Sequence, residues 1–170
     1  MTAPDPTRQS LATYEDLRYR DVFGVARTYE DACDRIALRA LLPARGARLI
    51  EIGAGFGRLA GEYAGYARVV LLDSSEVHVR AANEALGGDP KFEICLGDAL
   101  ALPFPDAAFD VAVCVRVLHH FDDPGPLIAE LGRIVRPGGY RCCCGVRELG
   151  KWGCSHAMEV VTSCTLVLAP

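Results

Sequence analysis

The stretch Leu49-Ile50-Glu51-Ile52-Gly53-Ala54-Gly55-Phe56-Gly57-Arg58 decides how the chain is read. A short apolar run of strand character meets three alternate glycines, and a helix is expected from Arg58 to Tyr66. Strand, glycine loop and helix in that order make a place where a ligand can approach bare backbone. A side chain at a glycine position would fill the space, and glycine also supplies the positive φ of a tight turn. Twenty residues after Gly53, Asp73 closes the next apolar run, Val69 to Leu72. A carboxylate at the end of a neighbouring strand can accept hydrogen bonds from two ribose hydroxyls. Loop and carboxylate together point to a nucleoside-bearing ligand.

Outward from this stretch, strand-like and helical segments alternate. Glu76 to Leu86 reads as a helix, Phe92 to Leu96 and Val111 to Val115 as strands, and a further helix from about Pro126 to Val135 precedes Pro137-Gly138-Gly139. Upstream, Tyr29, Ala32, Cys33, Ile36, Ala37, Ala40 and Leu41 follow i, i+3, i+4 spacing and predict an amphipathic helix that Pro43 closes. The alternation predicts an α/β fold with a doubly wound, Rossmann-like parallel sheet. At 170 residues the chain holds one domain. It divides into an N-terminal arm and helix (1–45), a ligand-binding core (46–140) and an atypical tail (141–170).

Composition excludes several classes of function. Eighteen Lys and Arg against 22 Asp and Glu leave a net charge of −4, so no basic footprint for nucleic acid exists. Residues 1–20 hold Pro4, Asp5, Pro6, Arg8, Glu15, Asp16 and Arg18 and no apolar run of the kind a secretory signal needs. Apolar runs elsewhere fall well short of the ~20 residues of a membrane span. The expectation is a cytoplasmic protein without a membrane span. Of eight cysteines, five lie in the last 29 residues and the others stand singly in the chain, which predicts reduced thiols rather than a disulfide framework. Oligomeric state is not legible.

Glycine spacing separates two cofactor classes. A dinucleotide fingerprint, G-x-G-x-x-G, needs glycine at the position of Arg58, which disfavours a nicotinamide-dependent oxidoreductase. With its G-x-G-x-G spacing, Glu51-Ile52-Gly53-Ala54-Gly55-Phe56-Gly57 resembles motif I of the class I S-adenosylmethionine-dependent methyltransferases. Gly97-Asp98-Ala99-Leu100-Ala101-Leu102-Pro103-Phe104-Pro105-Asp106 with Phe109-Asp110 is similar to a stretch of the small-molecule methyltransferases of the ubiquinone and menaquinone type. Leu118-His119-His120-Phe121 and Arg133-Ile134-Val135-Arg136-Pro137-Gly138-Gly139 resemble later segments of the same family.

The resemblance implies S-adenosyl-L-methionine as cofactor and a small-molecule or lipid-like methyl acceptor. It places Gly53, Ala54, Gly55 and Gly57 along the methionine part, Glu51 near its ammonium, and Asp73 with Ser74 at the ribose. Asp98 and the Ala99 amide would meet the adenine, and the Arg116 backbone would face the cofactor. Each position also has a plainer reading: a tight turn for the glycines, a strand-end or helix-cap residue for Asp73, a turn-closing residue for Asp98. The Arg116 side chain reads either as a contact to an anionic substrate or as a surface arginine. His119 and His120 are the nearest candidates for a catalytic base; adjacent helical positions diverge by about 100° and do not chelate a metal together. Cys142, Cys143, Cys144, Cys154, His156 and Cys164 contain no C-x-x-C pair, so no metal is expected. Tyr14, Tyr19, Arg20 and Tyr29 are candidates for the acceptor pocket or for packing on the sheet. A non-catalytic cofactor-binding module remains the alternative to an enzyme.

The tail departs from the family pattern. Tyr140-Arg141-Cys142-Cys143-Cys144 stands where a doubly buried strand calls for a Val, Ile or Leu run. Cysteine codons in a row, read one nucleotide later, encode only valine or alanine. The expectation is a shifted reading frame or a truncation near residue 140, with the sheet ending at its fifth strand.

Overall fold

The computed structural model describes residues 27–144 and 165–168. Tyr14, Tyr19, Arg20, Cys154, His156 and Cys164 lie outside the described residues. Elements run in the order α1 (Thr28–Leu41), β1 (Gly46–Ile52), β2 (Tyr66–Asp73), α2 (Glu76–Leu86), β3 (Phe92–Leu96), β4 (Phe109–Val115), α3 (Gly125–Ile134), β5 (Val135–Cys144) and β6 (Thr165–Leu168). The sheet order is β3-β2-β1-β4-β5-β6. β1 to β5 pair in parallel, as expected for a doubly wound fold. The parallel part of the sheet ends at its fifth strand as expected, and β6 adds an antiparallel strand on β5 with Cys142 opposite Val167.

Side-chain alternation along the strands builds two cores. Leu49, Val69, Leu71, Val111, Val113 and Cys142 face one side with Leu38 of α1 and Tyr63. Ile50, Ile52, Val70, Leu72, Ala112, Cys114 and Cys143 face the other with Leu127, Leu131 and Ile134 of α3. A strand covered on both faces reads as a continuous apolar run, which is why β1, β2 and β4 were legible. In β5 the buried Cys142 and Cys143 serve as small apolar residues on opposite faces. Arg141 fits less well: its Nε is buried without a hydrogen-bond partner among the described residues.

Two expectations about helices are corrected. The helix expected over Arg58 to Tyr66 is a run of turns ending in a short 3-10 segment, Ala60–Tyr63. Gly61 and Gly65 interrupt it, and a Cβ at Gly65 would collide with the Ala44 carbonyl oxygen, so close chain approach wins over helix continuation there. In α1 the apolar stripe is not the buried one. Tyr29 is 79% and Ile36 64% exposed, whereas Asp34 and Leu38 are buried. The physical reason is ionic, and it lies at the site described next.

The order of the sheet reverses between β1 and β4, one strand continuing toward β2 and the other toward β5. In open α/β sheets the crevice beyond the strand ends at such a point is where ligands bind. The glycine loop follows β1, and Arg116 follows β4, so both sequence-singled loops meet at the switch point.

Candidate functional site

The three glycines of the loop all adopt positive φ, 69° at Gly53, 58° at Gly55 and 80° at Gly57. They serve different neighbours. A Cβ at Gly53 would strike Val117 Cγ2, and one at Gly57 would come within 2.6 Å of Leu86 Cδ1. At Gly55 an added Cβ meets nothing within 4 Å. Two glycines therefore let the loop pack against the residues after β4 and against α2, and the third leaves bare backbone facing open space. That space is a cleft lined by Glu51, Gly53, Ala54, Gly55, Phe56, Arg58 and Val115.

Asp73 locks the loop from the adjacent strand. Its Oδ2 accepts the Gly55 amide at 2.7 Å and its Oδ1 the Ser75 amide at 2.9 Å. His78 Nδ1 lies 3.6 Å from Oδ1. The helix-cap role itself falls to Ser75, whose hydroxyl accepts the His78 amide at 3.4 Å. A carboxylate has about four acceptor positions, so these two amide bonds leave capacity for hydroxyl donors. Ser74 sits beside it, exposed.

Glu51 is the acidic group of the cleft. It is 2% exposed, and its Oε2 is buried with no hydrogen-bond partner among the described residues. Burial raises its carboxyl pKa to about 8, against the opposing pull of the Tyr63 hydroxyl and the Arg58 charge, while Asp73 adds to the rise. The Tyr63 hydroxyl is buried on the same face, and burial, with the neighbouring Glu51 carboxylate, carries its pKa well above the usual tyrosine value. A lone buried carboxyl at an open cleft is costly unless a cation or donor arrives to meet it.

Beyond β3, the Asp98 Oδ1 accepts the Leu100 amide at 2.9 Å, and the Asp98 carbonyl accepts Ala101 N at 3.2 Å. Asp98 thus closes its own turn, the plainer of its two sequence readings, with Ala99 packed beside the α3-side core. Past β4, Arg116 has φ 58°. Its side chain is not a surface group: Nε and Nη2 lie 2.9 and 3.3 Å from the Asp34 carboxylate of α1, with only 13% of the side chain exposed. The surface reading of Arg116 is corrected by this pairing. Leu118–His120 form a 3-10 turn in which the rings of His119 and His120 stand 3.9 Å apart, closer than helical divergence predicts. Burial lowers the His120 pKa; a hydrogen bond to the Arg116 backbone and the Asp73 charge oppose the shift. No cluster of three or more potential metal ligands occurs among the described residues.

Sequence reasoning missed Asp34 altogether. Its carboxylate also accepts Arg58 Nη2 at 2.8 Å, and Arg58 Nη1 pairs with Asp31. Arg35 joins Asp31 at 2.7 Å and Glu62 at 3.0 Å, and its Nη2 donates to the Arg58 carbonyl at 2.8 Å. The available signal was a row of charges, Asp31, Asp34 and Arg35, in a helix whose apolar spacing drew attention to the other side.

A family model described as "Methyltransferase domain" matches residues 50–143, more than half of the chain. The chain belongs to the methyltransferase domain family. Among curated proteins, it is 37% identical over 120 residues to the 27-O-demethylrifamycin SV methyltransferase of Amycolatopsis mediterranei, covering 66% of this chain and 44% of that protein. It is 30% identical over 122 residues to a ubiquinone/menaquinone biosynthesis C-methyltransferase of Roseobacter denitrificans, covering 68% of this chain and 47% of that one. An S-adenosylmethionine-dependent methyltransferase of Thermotoga maritima superposes with a TM-score of 0.63 at 27% identity, over 77% of this chain and 59% of the other. The methyltransferase domain thus has the class I Rossmann-like fold that its motifs resemble. The chain spans less than half the length of these curated relatives. No helix among the described residues is long and apolar enough to cross a membrane.

Proposed function

We propose that this methyltransferase domain binds S-adenosyl-L-methionine across the ends of β1, β2 and β3 and transfers its methyl group to a small-molecule or lipid-like acceptor. The observation that supports this most directly is Gly55, whose bare backbone faces open space beside Glu51, with Oε2 of that carboxyl buried and without a hydrogen-bond partner among the described residues, while the Gly55 amide is fixed by Asp73. When bound, the cofactor supplies a methyl group already activated by the positive charge on sulfur.

The protein's part is placement and exclusion of water. Gly53, Ala54, Gly55 and Gly57 hold the amino-acid part of the cofactor, and Glu51 gives up its proton to face the ammonium. Asp73, with Ser74 beside it, takes the ribose hydroxyls on its remaining acceptor positions. Asp98 and the Ala99 amide meet the adenine, and the Arg116 backbone borders the cleft. His120, whose partial burial favours the neutral ring, is the group placed to accept a proton from an acidic acceptor, with His119 beside it.

Two measurements test the proposal. Calorimetric titration with S-adenosylhomocysteine is expected to show one binding site, and labelled methyl groups are expected to pass from the cofactor into the small-molecule fraction of a cell extract. Binding without transfer to any acceptor leaves a non-catalytic cofactor-binding module. Folded protein that gives no heat overturns both readings.

A further inference from the structure

We propose that Asp34 is the positioning residue of the cofactor cleft: one buried carboxylate on α1 holds the two loops that wall the cleft, those after β1 and β4, at a fixed separation. The role rests on the reading of the cleft as a cofactor site. Three observations carry it. Asp34 receives Arg58 Nη2 from the glycine-loop side at 2.8 Å, and Arg116 Nε and Nη2 from the other side at 2.9 and 3.3 Å. All three side chains are nearly buried, 9% exposed for Asp34, 12% for Arg58 and 13% for Arg116. Both loops hold backbone that needs external support, because Arg116 is a non-glycine residue at φ 58° and Gly53 packs its bare Cα under Val117, the residue that follows.

The charges explain why one residue matters so much. Without Asp34, two guanidiniums would face each other across the mouth of the cleft with little water to screen them. Asp31 would still hold Arg58, whereas the pair that joins Arg116 to α1 through Asp34 would be lost. The rest of the ionic network lies farther out: Glu62 pairs with Arg35 and with the exposed Arg39 and touches neither Arg58 nor Arg116 through its carboxylate. That separation gives α1 two kinds of ion pair, one that anchors the helix and one that sets the cleft. It also accounts for the inward turn of the charged side of α1 at the expense of Tyr29 and Ile36.

The test compares Asp34→Asn with Glu62→Gln in the full chain, using amide hydrogen exchange and S-adenosylhomocysteine calorimetry at a temperature where circular dichroism shows each variant folded. Asp34→Asn is expected to speed exchange at residues 53–58 and 116–117 about tenfold and to weaken binding about tenfold or more, while Glu62→Gln changes both less than about twofold. Should Asp34→Asn not fold, Arg116→Gln removes one arm of the same clamp and is expected to give the same pattern. Equal effects of Asp34→Asn and Glu62→Gln, or unchanged exchange in the two loops, would overturn the positioning role. Absence of heat with the unsubstituted chain overturns the cofactor reading instead, and the exchange comparison in ligand-free protein tells the two failures apart.

Discussion

Two arginine clamps hold loops at the working edge of this sheet, and they differ in burial. On the α1 side, Arg58 and Arg116 converge on Asp34 with side chains 9 to 13% exposed. On the α3 side, Arg133 donates to Glu130 at 2.8 Å, to Asp106 at 3.0 Å and to the carbonyls of Leu102 and Phe104, with Arg133 31%, Glu130 20% and Asp106 80% exposed. Both tie a loop that follows a strand to a helix, but water screens only the second. Exposed pairs contribute little, whereas removing one member of a buried pair strands the other charge. The buried clamp therefore governs stability and cleft geometry together, and the exposed one tidies the loop between β3 and β4.

That contrast is open to attack by substitution, and the largest effect falls on the buried clamp. Asp34→Asn is expected to cost about 3 kcal/mol, read as a drop of about 8 °C in the thermal midpoint. A drop as small as that of an exposed pair would erase the contrast. The next effect belongs to Glu51, a buried carboxyl outside either clamp. Its pKa is raised from 4.5 to about 8 in the folded protein, so its contribution to stability is full below about pH 4.5 and is lost as the pH climbs through about 8. Glu51→Gln is expected to remove that decline, leaving the ligand-free protein more stable at pH 9 than the parent, while weakening cofactor binding. Denaturant melts at pH 5 and pH 9 check the first part, and an unchanged slope between them contradicts it.

Arg141 sharpens the comparison from the opposite side, since its Nε is buried without a partner among the described residues. Arg141→Ile is expected to raise stability by about 1 kcal/mol, because the lost donor had nothing to satisfy it and an apolar residue suits β5. A fall in the midpoint would mean that this strand position wants the charge. At the small end, Glu130→Gln is expected to lower the midpoint by less than about 2 °C and to leave cofactor affinity untouched. An effect on the scale of Asp34→Asn would show that exposure is the wrong distinction.

Much of the fold was legible in the sequence because strands buried on both faces leave apolar runs, and β1, β2 and β4 are such strands. The cleft was legible at Gly53 to Gly57 and Asp73 for a related reason: a backbone that must turn and stay bare has few residue choices. What the pattern concealed was α1. Its Tyr29, Cys33 and Ile36 spacing looks like a core face, yet the helix turns Asp34 and Leu38 inward because the arginines that need a carboxylate lie 24 and 82 residues further along the chain. Periodicity reports one helix at a time and is blind to such partners. The same limit hid the division of labour among the glycines, since only the positions of Val117 and Leu86 show that Gly53 and Gly57 are bare for packing while Gly55 faces open space. At Cys142 and Cys143 the residue types disguised a strand that pairing with β4 makes plain.

One titration bears on all of this: S-adenosylhomocysteine into the folded parent chain and into Asp73→Ala. The parent is expected to bind at a single site and Asp73→Ala about tenfold or more weakly, since the ribose would lose a charged acceptor and the Gly55 amide its anchor. Equal affinity in the two proteins, or no heat from the folded parent, would contradict a cofactor cleft built on Gly55 and Asp73.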